Sequence, residues 1–404
     1  MKLPRRAFLL SLLGGSAATL GYSAYRGVRL PTLDWDPRDP ASTVEVDNGL
    51  NARLHNLILV TPEDNTNVAH FRAFAPEPTL HLTCANGGKK QLQIRNLANN
   101  ATIQCSDPAA LVSHTIDGIT HTVELDFTAQ QKLELVCRLP QTENYTFAAI
   151  GDTGGDQELA WCLQRGHQLG ADFFLHLGDF NYQPGDYRRA IDLFNQSPIP
   201  VYISIGNHDF HEDGSIYDQF LSEVSPLNHA FTLGKTRFIN LDTAANFLPF
   251  GAGSRGALVD ALKQDTTVAH SIAYTHRPLY DPLPGSHHDL GSDGERDWLI
   301  ATLHELGVKT LISGHIHIYD RREVQGIDNI VVGQGLGHQD LLTNSDYSKI
   351  LLGHINAQGE IQLEIAPLSM PFELHCHPRN EPVKESLRGG EHDAMMRVVD
   401  EACG

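Results

Sequence analysis

From Tyr145 onward short apolar runs, each ending in a turn that carries a chemically active side chain, alternate with helical stretches. "YTFAAIGDTGG" leads into "DQELAWCLQRGHQLGA", "DFFLHLGDFNY" into "DYRRAIDLFNQSP", and "IPVYISIGNHD" begins a third round. "HSIAYTHRP" and "TLISGHIHIYD" repeat the pattern around the helical "ERDWLIATLHELG". Strand, helix and strand in alternation require crossover connections and a mostly parallel sheet, with ligands at the carboxyl ends of the strands. "NIVVGQG", "KILLGHIN" and "EIQLEIAPL" read as the closing strands of a second sheet.

The strand ends deliver Asp152, then Asp179 with Tyr182, then Asn207 with His208 and Asp209, then His276, then His315 and His317. Alone, Asp152 reads equally as a turn aspartate or a helix cap, and Asn207 and Asp209 as turn formers. Together and in this order they supply the hard oxygen donors and imidazoles of a two-metal hydrolytic site, in which one carboxylate bridges cations about 3.5–4 Å apart. His315 and His317, two residues apart on an extended segment, are expected to point to one side and reach one cluster.

The residues before Tyr145 have a different texture. Between residues 43 and 144 short apolar runs such as "LHNLILV", "TLHLTC", "TVELDF" and "LELVCRL" are separated by Asn, Gly, Pro and Asp. They predict a small all-β, sandwich-like domain. Residues 28–42, rich in Pro and Asp, read as a linker, and residues 370–404 as a polar tail. Residues 1–27 carry Arg5 and Arg6 ahead of an apolar stretch and small residues, in the manner of a twin-arginine export signal. A weakly hydrophobic membrane anchor is the alternative, so membrane contact is expected only if this segment stays uncleaved. Export by this route places the protein in the periplasm or outside the cell.

With 404 residues and 41% apolar composition the chain can fill a substantial core. Its formal charge of −19 sets it against nucleic acid and acidic lipid, so an anionic substrate must be drawn in by local positive charge such as a metal. Six cysteines without C-x-x-C spacing exclude a zinc ribbon or thioredoxin-like site. There is neither a phosphate-binding G-x-x-x-x-G-K loop nor a G-x-S-x-G elbow.

The blocks "GDTGG", "GDFNY", "GNHD", "YTHRPLY" and "GHIHIYDR" resemble the five motifs of the calcineurin-like metallophosphoesterases, and more narrowly those of the purple acid phosphatase branch. The resemblance spans residues 145–369 and implies an α/β fold, a four-layer αββα sandwich, preceded here by the all-β domain. It implies Fe(III) held by Asp152, Asp179, Tyr182 and His317. A second ion, Fe(II), Zn or Mn, would be held by Asn207, His276 and His315, with Asp179 as the bridge. His208 is implied over the substrate as a catalytic group oriented by Asp209, and His287 or His288 as a substrate contact. Where commoner superfamily members begin with D-x-H, this chain has Gly154, and Tyr182 takes the place of that ligand. The activity implied is hydrolysis of small phosphate monoesters by metal-activated hydroxide in an acidic working range. A phosphodiesterase acting on nucleotides or glycerophosphodiesters, and a non-catalytic exported metal-binding protein, are the alternatives. His211 and the "HCHP" stretch (His375, Cys376, His377) read as surface residues.

Overall fold

A computed structural model describes residues 43–47, 49–61, 68–209, 218–244, 251, 253–265, 268, 270–283, 288–336 and 348–369. The export segment, the linker, His211, His287, Cys403 and the "HCHP" stretch lie outside the described residues.

Ten strands precede Tyr145: β1 (Thr43–Asp47), β2 (Leu50–His55), β3 (Leu57–Val60), β4 (Val68–Ala73), β5 (Thr79–Cys84), β6 (Gly88–Arg95), β7 (Thr102–Cys105), β8 (Leu111–Asp117), β9 (Thr120–Phe127) and β10 (Gln131–Arg138). They form two five-stranded sheets, β1-β2-β5-β10-β7 and β3-β4-β6-β9-β8. Strict alternation in β9 and β10 turns Val123, Leu125, Leu133 and Leu135 into the shared core between them. "LHNLILV" is not one strand. Asn56 has a φ of 62°, and this left-handed residue passes the chain from one sheet to the other.

The remaining strands are β11 (Tyr145–Ile150), β12 (Phe173–His176), β13 (Val201–Ile203), β14 (His229–Leu233), β15 (Thr236–Asn240), β16 (His270–Tyr274), β17 (Val308–Ser313), β18 (Tyr319–Val324), β19 (Ile327–Val332), β20 (Lys349–Ile355) and β21 (Ile361–Pro367). The described helices are α1 (Gln157–Gln168), α2 (Asp186–Asn195), α3 (Asp218–Glu223), α4 (Gly253–Lys263) and α5 (Asp293–Glu305). One sheet runs β13-β12-β11-β20-β21, the other β14-β15-β16-β17-β19-β18. Both are mixed: β11, β12 and β13 are mutually parallel, as are β15, β16, β17 and β19, with antiparallel strands at the flanks. The three closing strands do not share a sheet. β19 pairs with β17, whereas β20 and β21 extend the sheet of β11.

Phe147, Phe173, Leu175, Phe238, Ile272 and Ile312 fill the space between the two sheets. Leu159 and Leu163 of α1 with Ile191 and Phe194 of α2 cover the outer face of the first sheet. Val259 of α4 with Leu299 and Leu303 of α5 cover that of the second. Helix, sheet, sheet and helix make the four layers of the metallophosphoesterase fold. Ser292 starts α5 as a capping residue, its Oγ accepting from the Glu295 N–H at 3.1 Å.

The two halves meet along the edge of β13. The buried carboxamide of Asn96 donates to Val201 O and accepts from Val201 N, both at 2.8 Å, and so pairs an edge strand that would otherwise be bare. Arg72, whose pKa burial pushes down to about 10, donates to Asn195 Oδ1 at 2.8 Å. Cys84, Cys105, Cys137 and Cys162 are all unpaired.

Candidate metal centre

Because β11, β12 and β13 are parallel within one sheet and β16 and β17 within the other, their carboxyl ends release five loops that meet at one rim. The loops are laced together. Asp152 N–H donates to Gly178 O at 2.9 Å, Thr153 N–H to Asp179 O at 3.1 Å, and Gly314 N–H to His276 O at 3.0 Å. Asp152 and Asp179 both have a φ of 61°, and His315 one of 69°. A left-handed non-glycine residue costs about 1–2 kcal/mol, and three at one rim mark a place where side-chain direction outweighs backbone comfort. The adjoining glycines are required by space. A Cβ on Gly206 would lie 2.2 Å from Asp179 Oδ1, and one on Gly314 would lie 2.5 Å from Asp152 Oδ2.

The donors fall into two groups around Asp179. On one side the Tyr182 hydroxyl lies 3.2 Å from Asp179 Oδ2, 3.3 Å from Asp152 Oδ1 and 3.1 Å from His317 Nε2. On the other, His276 Nε2 lies 3.4 Å from Asp179 Oδ2, 2.9 Å from Asn207 Oδ1 and 3.1 Å from His315 Nδ1. Ligand atoms of Asp179, His276 and His315 all lie within 4.8 Å of one another. Asp152, Asp179 and His276 are buried at the back, while Tyr182, Asn207, His315 and His317 are half-buried and face the opening.

The electrostatics suit a cation. Among the described residues Asp152 and Asp179 form ion pairs with histidines, His317 and His276, and none with Lys or Arg. Burial raises Asp152, and burial would raise Asp179 too, but His276 and His208 outweigh it and hold Asp179 well below the usual carboxylate range. Burial, then Asp179 and Asp152, push the Tyr182 phenol well above its ordinary value, so the phenol keeps its proton until strong positive charge arrives. Burial and the adjacent Arg277 hold His315 well below its usual value, leaving a neutral imidazole with a lone pair to offer. Two buried carboxylates, a phenol, an amide oxygen and three imidazoles without a lysine or arginine counter-ion fit a pair of metal ions better than any neutral core.

Two expectations change. His315 and His317 do not share a side. Residues 315–318 form a bend, with Ile316 N–H bonded to Gly314 O at 2.9 Å, and the two rings diverge to opposite ends of the cluster. Nor does the Asp209 carboxylate bond to His208. It accepts from the N–H groups of Asp179 (3.0 Å), Phe180 (2.9 Å) and Gly206 (2.6 Å), and so clamps the β12 and β13 loops together. His208 is placed instead by its own N–H, which donates to Asp179 Oδ1 at 2.9 Å, and by its ring against Tyr182, with centroids 4.5 Å apart. His288 is exposed with its ring edge-on to His315, centroids 5.6 Å apart, and its N–H donates to Asp281 Oδ2 at 2.6 Å.

Sequence reading missed the supporting residues. His176 accepts from Gly178 N–H at 3.2 Å and lies 2.9 Å from Thr153 Oγ1, joining the first two loops from beneath. Asp186, at the start of α2, accepts from the N–H groups of Tyr182 (3.2 Å) and Gln183 (2.9 Å) and is paired with Arg189. Arg277 lies 2.8 Å from His315 Nε2 and donates through Nε to Ala244 O at 3.1 Å. A histidine inside the apolar run "FFLHLGD" was the one available signal for this layer.

Residues 145–319 match the family model described as calcineurin-like phosphoesterase. No sequence among the curated proteins matches the chain. Among solved structures, purple acid phosphatase from yellow lupin (Lupinus luteus) seeds is similar at 15% identity over 78% of this chain and 72% of its own, with a TM-score of 0.49. PhoD is similar at 11% identity over 77% of this chain and 88% of its own, with a TM-score of 0.40. A dimetal phosphatase from Danio rerio is similar at 13% identity over 55% of this chain and 98% of its own, with a TM-score of 0.38. The matched segment carries Asp152, Asp179, Asn207, His276, His315 and His317 to one rim of a four-layer fold, and residues 145–319 of this chain are a calcineurin-like phosphoesterase domain.

Proposed function

We propose that the protein is an exported phosphatase of the purple acid type, hydrolysing small phosphate monoesters at two metal ions. The observation that carries this reading is the Tyr182 hydroxyl, lying 3.1–3.3 Å from Asp152, Asp179 and His317, in a chain that has Gly154 where the D-x-H motif has its histidine. Asp152, Asp179, Tyr182 and His317 would hold Fe(III). Asp179, Asn207, His276 and His315 would hold Fe(II), Zn or Mn. When bound, such a pair supplies Lewis acidity toward phosphoryl oxygens and lowers the pKa of water.

The chain's own residues do the rest. Asp179 sits between the two groups and fixes their separation, and Asp209 holds the loops that carry it. His208, half-buried at the opening and tilted against the Tyr182 ring, would give a proton to the leaving oxygen or balance charge on the phosphoryl group. His288, beside His315 and exposed, is placed to meet the substrate, and His287 precedes it. Export rests on the Arg5–Arg6 segment; among the described residues no helix is long and apolar enough to cross a membrane.

The test is the visible spectrum of the purified protein with a metal analysis. Two metals per chain, one of them iron, and a purple or pink colour from tyrosinate-to-Fe(III) charge transfer are expected. A colourless protein with iron bound would sink the ferric assignment. Assays with p-nitrophenyl phosphate and its bis ester should favour the monoester at acidic pH; preference for the diester would make the protein a phosphodiesterase, and no turnover of either a metal-binding protein.

A further inference from the structure

The turn "GDFNY" carries one more side chain toward the site. Asn181 is 5% exposed, and its Nδ2 donates to the His208 backbone carbonyl at 3.1 Å. The atom facing a carbonyl oxygen at that distance must be the amide nitrogen, which fixes the orientation of the carboxamide. Its Oδ1 is buried with no hydrogen-bond partner among the described residues, a cost that an apolar residue would avoid. Asp179 accepts from the His208 N–H, Asn181 donates to the His208 C=O, and Tyr182 packs on the His208 ring. Three residues of one turn therefore hold His208 by its N–H, its C=O and its ring.

We infer that Asn181 is the positioning residue of His208, taking the task that the neighbouring Asp209 would be expected to perform. This rests on the reading of His208 as proton donor to the leaving group. As the P–O bond breaks, its electron pair passes to the leaving oxygen, and the proton on the His208 ring neutralises it. A basic alkoxide needs that proton; a stabilised phenolate hardly does. A proton donor that wanders should therefore be missed in proportion to leaving-group basicity.

The experiment compares Asn181→Ala and Asn181→Asp with His208→Ala in fully metal-loaded protein, using an alkyl phosphate and p-nitrophenyl phosphate. Asn181→Asp keeps the size of the side chain and, when ionised, removes the donor. For both Asn181 variants, kcat is expected to fall roughly tenfold on the alkyl ester and to stay within about threefold on the aryl ester, as a partial loss of a general-acid contribution of order 10²–10⁴. KM and metal content should be unchanged, and His208→Ala should show the same dependence more steeply. Equal losses on both esters, or loss of metal from the Asn181 variants, with His208→Ala still steep, would overturn the role of Asn181 alone. A flat response in His208→Ala would overturn both roles.

Discussion

The two sides of the metal centre share Asp179 and little else. The tyrosine side offers Asp152, the Tyr182 phenol and His317; the imidazole side offers Asn207, His276 and His315. On the first side every donor but one is an oxygen, and two can be anionic. On the second side all three are formally neutral, and Arg277 stands 2.8 Å from His315. Anionic oxygen donors favour a small, highly charged ion, whereas neutral imidazoles suit a divalent one. The difference teaches that one strand-end framework can build two unlike donor groups around a single shared carboxylate, simply by which residue each loop exposes.

Removing what the sides share should have the largest effect. Asp179→Ala deletes the bridge and also the acceptor of the His208 N–H. Both metals should be lost, and activity should fall by far more than the ~10–100-fold typical of changes to residues that only support ligands. Elemental analysis after desalting checks it. Two metals retained in that variant would show that the two sides are independent sites.

Next comes the split itself. Tyr182→Phe removes one oxygen donor from the tyrosine side only, so the visible band should vanish and bound metal should drop from about two ions to about one. Asn207→Ala should do the reverse, keeping the colour while losing the second ion. Metal content and the spectrum read together decide it. A coloured Tyr182→Phe protein would remove the phenol from the coordination proposed above.

Much of this contrast was legible in the sequence because the strand ends are punctuated by glycine. Four of the five apolar runs stop at a Gly whose neighbour is a donor, the run before His276 being the exception, and Gly206 and Gly314 are required because the Asp179 and Asp152 carboxylates occupy the space a Cβ would need. The alternation of strands and helices gave the crossover units and the parallel strands, and the four layers came with the resemblance. What stayed hidden depends on tertiary contacts without a local period. β20 and β21 join the sheet of β11 rather than that of β19, a pairing that no spacing announces. α4, in "GSRGALVDALK", went unread because its glycines look like loop residues. The divergence of His315 and His317 depends on one left-handed residue, and strand alternation misleads there. The resemblance implies Asp209 as the orienting partner of His208, whereas its carboxylate is spent on three amides from two loops.

The smallest effect concerns what lies beneath each side, where a buried neutral histidine props the framework. His176 supports the tyrosine side through Gly178 N–H and Thr153, and burial pushes its pKa down to about 3. His229 supports the imidazole side, its Nε2 lying 3.0 Å from the hydroxyl of Tyr274, two residues before His276, and burial pushes it down to about 4. A histidine depressed below its unfolded value near 6.5 takes up a proton in the unfolded chain first. Its contribution is therefore complete above pH 6.5 and is lost as pH falls, over the window 6.5 to about 4 for His229 and on down to about 3 for His176. Each group can tilt the acid limb by up to about 1.4 kcal/mol per pH unit. In metal-free protein, His229→Asn should flatten the decline of the melting temperature between pH 6.5 and 4. His176→Asn should flatten it further down, because protonation there sets an imidazole N–H against the Gly178 N–H with no hydroxyl to rotate out of the way. Thermal melts across that range measure the slope, which does not depend on how far either substitution lowers stability at pH 7. Parallel acid limbs in the wild type and both variants would mean that neither histidine is held neutral beneath its side of the centre.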